Sequence, residues 1–167
     1  DINHEAAEKT AQTHGLKKVY SSPDELLADP EVEIVDVAVV PAEQYNVVTK
    51  VIAAKKPLLC QKPFSIDYTK AVEMTNALNP DLVVLTGDYV WHDQEAAFEL
   101  APILAGLKAR HGIYSVLGNH DYWLDVRATV RAFEEEGLPM LVNQGLEINT
   151  GNGSFYLAGM DDGWSGK

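Results

Sequence analysis

Apolar residues along this chain fall into short continuous runs separated by amphipathic stretches. Ile34-Val35-Asp36-Val37-Ala38-Val39-Val40 is a near-continuous β-branched run stopped by Pro41, and Leu82-Val83-Val84-Leu85 is a second. Runs of this kind predict strands buried on both faces, as in a parallel sheet. Shorter strands are predicted over 57–60 and 113–117. Helical periodicity covers 5–14, 23–27, 43–55, 67–78, 95–110 and 126–136, with Gly15 and Gly137 as stop signals. Past residue 139 the period becomes strand-like. Strands are expected over 140–142, 146–148 and 154–158, with Thr150-Gly151-Asn152-Gly153 as a turn between the last two. This alternation predicts an α/β fold: a mostly parallel Rossmann-like sandwich with antiparallel strands near the C-terminus.

Composition divides the chain. Gly15 is the only glycine before Gly87, and Arg110, Arg127 and Arg131 all lie in the second half. A net charge of −12 repels nucleic acid and anionic membrane surfaces, so neither is expected as a partner. A small phosphoester would be repelled too, unless bound cations invert the local field. The single cysteine, Cys60, rules out an internal disulfide. It is read as a buried strand residue, and a cytoplasmic location is expected. No apolar run approaches the roughly 18 residues of a membrane span. Nothing in the sequence sets the oligomeric state.

The first half carries an ordered series of residues: Asp1 to Ala7, Val19-Tyr20-Ser21-Ser22-Pro23-Asp24-Glu25-Leu26-Leu27-Ala28-Asp29-Pro30, Glu33 to Ala38, Pro41, and Gln61-Lys62-Pro63. This series resembles the cofactor domain of the Gfo/Idh/MocA family of NAD(P)-dependent oxidoreductases. The resemblance implies that Asp1 accepts from the cofactor ribose and that Lys62 contacts cofactor or substrate. Read without it, Lys62 is a solvated lysine before a strand-end proline, and Asp1 is a terminal residue. The family's glycine-rich turn, which seats the pyrophosphate on backbone amides and a helix N-terminus, has no counterpart in this half. NAD(P) binding is therefore not expected, and oxidoreduction is the alternative reading of function.

The second half carries Asn76-Ala77-Leu78-Asn79-Pro80-Asp81-Leu82-Val83-Val84-Leu85-Thr86-Gly87-Asp88-Tyr89. Gly112 to Trp123 follows, including Gly118-Asn119-His120-Asp121, and then Ala158-Gly159-Met160-Asp161-Asp162. Each of the first two segments is an apolar strand that runs into a glycine and a polar cluster, the place where an open α/β sheet builds sites. Gly87 and Gly118 are expected to let the backbone turn there. The ordered pair resembles the calcineurin-like metallophosphoesterases. The resemblance implies that Asp88 bridges two metals and Asn119 ligates one. It also implies that His120 stabilises the transition state or protonates the leaving group, while Asp121 orients His120. The ion would be divalent: Mn, Fe, Zn or Mg. Read without the resemblance, these residues are turns and helix caps. The family's Asp-x-His and its two later histidine motifs have no match in these residues. His92 and His111 match no ligand position and are expected at the surface. Two protein ligands leave a hard cation mostly hydrated and loosely held.

Residues 1–72 are thus read as a partial Rossmann-like oxidoreductase segment and 73–167 as a partial metallophosphoesterase segment. The switch falls within 67–76, where both families place a helix. The simplest account is a chimera, expected to merge into one domain, with two loosely attached half-domains as the alternative. Its metallophosphoesterase site is expected to be vestigial, with at most weak metal-dependent phosphoester hydrolysis. The other reading is a non-catalytic engineered or recombined scaffold.

Overall fold

Residues 3–163 are described in the computed structural model of the chain, which divides into two compact units, 1–66 and 67–167. The first unit begins with α1 (His4–His14). Asn3 caps it by accepting from the Ala6 amide, and Gly15 closes it in the left-handed region at φ +65°. In α2 (Pro23–Ala28) the Ser22 hydroxyl accepts from the Glu25 amide, and Glu25 accepts in return from the Ser21 amide at 2.7 Å. Strand β1 (Val35–Val37), helix α3 (Pro41–Ala53) and strand β2 (Leu58–Cys60) form a βαβ unit. The strands are parallel, with Val35 opposite Leu58 and Val37 opposite Cys60. The unit buries Ala11, Val37, Val48 and Val51.

β1 is shorter than the apolar run that predicts it. Ile34 is 66% exposed and Val40 65%. The partner strand offers only three residues, and Pro41 starts α3 at once, which holds Val40 extended at φ −59°, ψ 144°. Apolar character does not bury a residue that has no neighbouring strand.

The second unit opens with α4 (Tyr68–Ala77), capped by the Asp67 carboxylate on the Thr69 and Lys70 amides. Strand β3 (Val83–Leu85), helix α5 (Glu95–Leu104) and strand β4 (Ile113–Ser115) form a second parallel βαβ unit, with Val83 opposite Ile113. Met140, where a further strand is expected, makes a single parallel bridge to Ser115. Helix α6 (Val126–Glu135) is capped by Asp125. Strands β5 (Gln144–Asn149) and β6 (Ser154–Gly159) pair antiparallel, closed by the Thr150 amide on the Gly153 carbonyl at 2.8 Å. The architecture is α/β, with parallel pairs first and an antiparallel pair near the C-terminus.

Helix α5 ends at Leu104, six residues short of the expected end at 110. The Asn76 side chain donates to the Gly106 carbonyl at 2.9 Å and accepts from the Lys108 amide at 2.7 Å. Those backbone groups are taken by a side chain from α4, so 106–108 leaves the helical path. The core of this unit gathers Val90, Ala97, Ala101, Leu117, Ala132, Phe133, Leu138 and Met140. Ala97 and Ala101 on α5 are fully buried, and small residues there bring α6 close. Gln94 fastens the pair, donating to Thr129 at 3.1 Å and accepting from the Asp125 amide at 2.8 Å.

Candidate functional site

The loops that follow β3 and β4 meet at two glycines. A β-carbon on Gly87 would lie 2.1 Å from the Gly118 nitrogen, and one on Gly118 would lie 2.2 Å from an Asp88 carboxylate oxygen. Only hydrogen fits at either position. Gly87 also has φ +95°, as the turn expected there requires. Gly118 does not turn in this way: it is small because Asp88 rests on it. Asp88 itself has φ +61°, a conformation rarely adopted by residues other than glycine and held only where the surroundings enforce it.

Asp121 does the enforcing. It is completely buried, on a short 3-10 turn, His120–Tyr122. One carboxylate oxygen accepts from the amides of Asp88 at 2.9 Å and Gly118 at 2.9 Å. The other accepts from Tyr89 at 2.8 Å and Val90 at 3.3 Å. Four backbone N–H groups thus surround one carboxylate, a nest that offsets the cost of burying the charge. The sequence reading has Asp121 orienting His120. In the structure both of its oxygens accept from backbone amides of the two loops.

Asp88 is the residue this arrangement presents. One of its oxygens accepts from the His120 amide at 3.1 Å. The other lies 3.8 Å from His120 Nδ1, with the Asp88 side chain 46% exposed. Asn119 precedes the 3-10 turn without using its side chain as a cap, so its amide oxygen is free to bind a ligand. The structure therefore brings Asp88, Asn119 and His120 together at the ends of β3 and β4. Among the described residues no cluster of three or more His, Cys, Asp or Glu side chains could hold a metal. The oxygen donors of Asp88 and Asn119 suit a hydrated hard cation held at one edge.

Sequence reasoning missed Trp91 and Trp123. The His120 ring lies against both, at 4.1 Å and 4.2 Å between centroids, and the indoles are 5.0 Å apart. A signal was present: Trp91 follows Asp88 by three residues, and Trp123 follows His120 by three. His92 stacks edge-on against Trp91 and is exposed, as expected, whereas His111 is half-buried. Tyr122 anchors the 3-10 turn by donating to Asp161. Burial first, and the Asp161 carboxylate second, push its phenol up to about 12.

In the first unit, Lys62 is exposed, and Asp1 lies outside the described residues. Cys60, expected to be buried, is only half-buried. Its sulfur accepts from Gln44 at 3.0 Å, and burial pushes its thiol up.

Two family models match. The oxidoreductase family with an NAD-binding Rossmann fold covers residues 1–89, and the calcineurin-like phosphoesterase family covers residues 64–163. The chain belongs to both families. The two matches share 64–89, which contains α4 and β3, so the segments of this chimera meet within elements that each family model accommodates. An uncharacterised metallophosphoesterase of Bacillus subtilis is 32% identical over 108 residues, 59% of this chain and 38% of that protein. A phosphodiesterase of Escherichia coli is 32% identical over 109 residues, 63% of this chain and 40% of that protein. An uncharacterised oxidoreductase of Schizosaccharomyces pombe is 39% identical over 69 residues, 41% of this chain and 19% of that protein. The chain thus spans well under half the length of each. No solved structure matches. No helix among the described residues is long and apolar enough to cross a membrane.

Proposed function

We propose that the metallophosphoesterase segment holds a vestigial site that binds a divalent cation weakly and hydrolyses a small phosphoester slowly at most. The observation that carries this reading is the Asp88 carboxylate, held over Gly118 and beside His120 by the amide nest of Asp121. A divalent cation, when bound, polarises a phosphoryl oxygen and activates water. Asp88 and Asn119 supply the oxygen donors. His120, beside Asp88, would hand a proton to a departing alkoxide or phenoxide oxygen. The reading is weak hydrolysis because these residues supply two ligands where the family resemblance implies more. A chain of net charge −12 also depends on that loosely held cation to attract phosphate.

The test is hydrolysis of an aryl phosphate with Mn²⁺ by the chain and by Asp88→Ala, beside thermal melts of both. Slow turnover lost in the variant is expected. Ion at its dissociation constant stabilises by about 0.4 kcal/mol, roughly 1–2 °C for this size of domain. Equal rates in the two proteins would remove the hydrolase reading. A Mn²⁺ shift of ten degrees or so, abolished by Asp88→Ala, would replace a vestigial site with a competent one.

A further inference from the structure

Two tryptophans, Trp91 and Trp123, pack beside His120. Trp91, His120 and Trp123 pack on one another with centroids 4.1–5.0 Å apart, so each ring is braced by the other two. Both indoles nevertheless remain 51% exposed. Packing within the core does not account for them, since neither belongs to the cluster around Phe133. They adjoin the site directly: the His120 ring that both touch lies 3.8 Å from Asp88. A phosphoryl group held at Asp88 and Asn119 would sit beside the His120 ring against which both indoles pack.

We infer that Trp91 and Trp123 form a stacking ledge for a flat aromatic group on the phosphoester, so that the site selects aryl-type over alkyl esters. This rests on the phosphoester reading of Asp88 and Asn119. Two half-exposed indoles tilted 59° to one another offer aromatic surface to a planar group, whose edge and face complement the indole quadrupole. A bilayer is the other candidate occupant of exposed indoles. A net charge of −12, with the Asp88 carboxylate alongside, opposes approach to an anionic lipid surface.

The test uses phenylphosphonate and methylphosphonate, equal in charge, inert to hydrolysis and different only in the ring. Each is titrated with Mg²⁺ into the chain carrying W164F, and the indole N–H signals of Trp91 and Trp123 are followed by NMR. Phenylphosphonate is expected to bind roughly tenfold more tightly than methylphosphonate and to shift both indoles. In W91L and W123L the ratio of the two affinities falls toward one, whatever happens to the affinity common to both. Equal affinities in the parent protein overturn the ledge and leave the phosphoryl site standing. Binding of neither overturns both, because the ring is placed by its phosphate. Indole shifts on adding phosphatidylcholine vesicles, with no preference for the phenyl compound, would make the ledge a lipid contact and overturn the proposal.

Discussion

Gln44 in the first unit and Asp121 in the second are both buried polar side chains, and the two are treated differently. In the oxidoreductase segment Gln44 is 1% exposed. Its amide nitrogen donates to the Gln61 carbonyl at 2.7 Å and to Cys60, while its oxygen has no partner. In the metallophosphoesterase segment Asp121 is fully buried and both its oxygens are saturated by four amides. Gln44 fastens one helix to the end of one strand. Asp121 fixes two loops against each other and sets the unusual backbone of Asp88. A buried polar group that is fully met specifies a site, whereas one half met specifies only packing.

The largest expected effect follows from removing each group. Asp121→Ala leaves four amides without an acceptor and should cost about 4 kcal/mol in urea unfolding. Gln44→Met removes the unpartnered oxygen together with the two donated bonds, and should change stability by no more than about 1 kcal/mol. Similar losses for the two would erase the distinction. Next come the glycines. Gly118→Ala forces Asp88 off its perch and should cost about 2 kcal/mol as well as the Mn²⁺-dependent stabilisation. Gly15→Ala meets no atom within 4 Å of its new β-carbon and should cost only about 1 kcal/mol, for the left-handed conformation. Titration with NADH, read by its fluorescence, is expected to show no saturable binding, since no glycine-rich turn accompanies Lys62. Saturation that weakens in Lys62→Ala would restore a cofactor site to the first segment.

The smallest effect concerns a half-buried carboxylate in the first unit. Asp29 is held down to about 2 by the hydrogen bond from Lys18, then by the Glu31 amide and by Tyr20. Its folded value lies below the unfolded one, so its contribution is complete above about pH 4 and is lost as pH falls through about 2. An acid melt of Asp29→Asn should lose a small component confined to that window. No such change occurs if the ion pair is absent in solution.

Much of the fold was legible because its signals are local. Gly15 stops α1, Pro41 starts α3, and Thr150 to Gly153 turns the last hairpin. The failures all involve residues far apart in the sequence. Val40 reads as buried, but its exposure is decided by where Leu58–Cys60 stops pairing. The end of α5 is set by Asn76, about thirty residues upstream, and no periodicity within α5 reports it. At the site, Asp88, Asn119 and His120 were legible from their motifs. The partners of Asp121 were not, because three of its four bonds reach 31 to 33 residues back. Trp91 and Trp123 were overlooked because an exposed indole leaves no mark on hydrophobic periodicity.

The bridge from Asn76 to Gly106 and Lys108 has a meaning for recombination between these families. A crossover placed before Asp67 hands the metallophosphoesterase segment the whole of α4, with the asparagine that shapes the loop before β4. A crossover after position 76 would recruit the oxidoreductase's version of that helix. The loop would keep its length but lose its template. Functional hybrids assembled from the two lineages should therefore cluster their breakpoints upstream of Asn76, or carry an asparagine there by coincidence of ancestry.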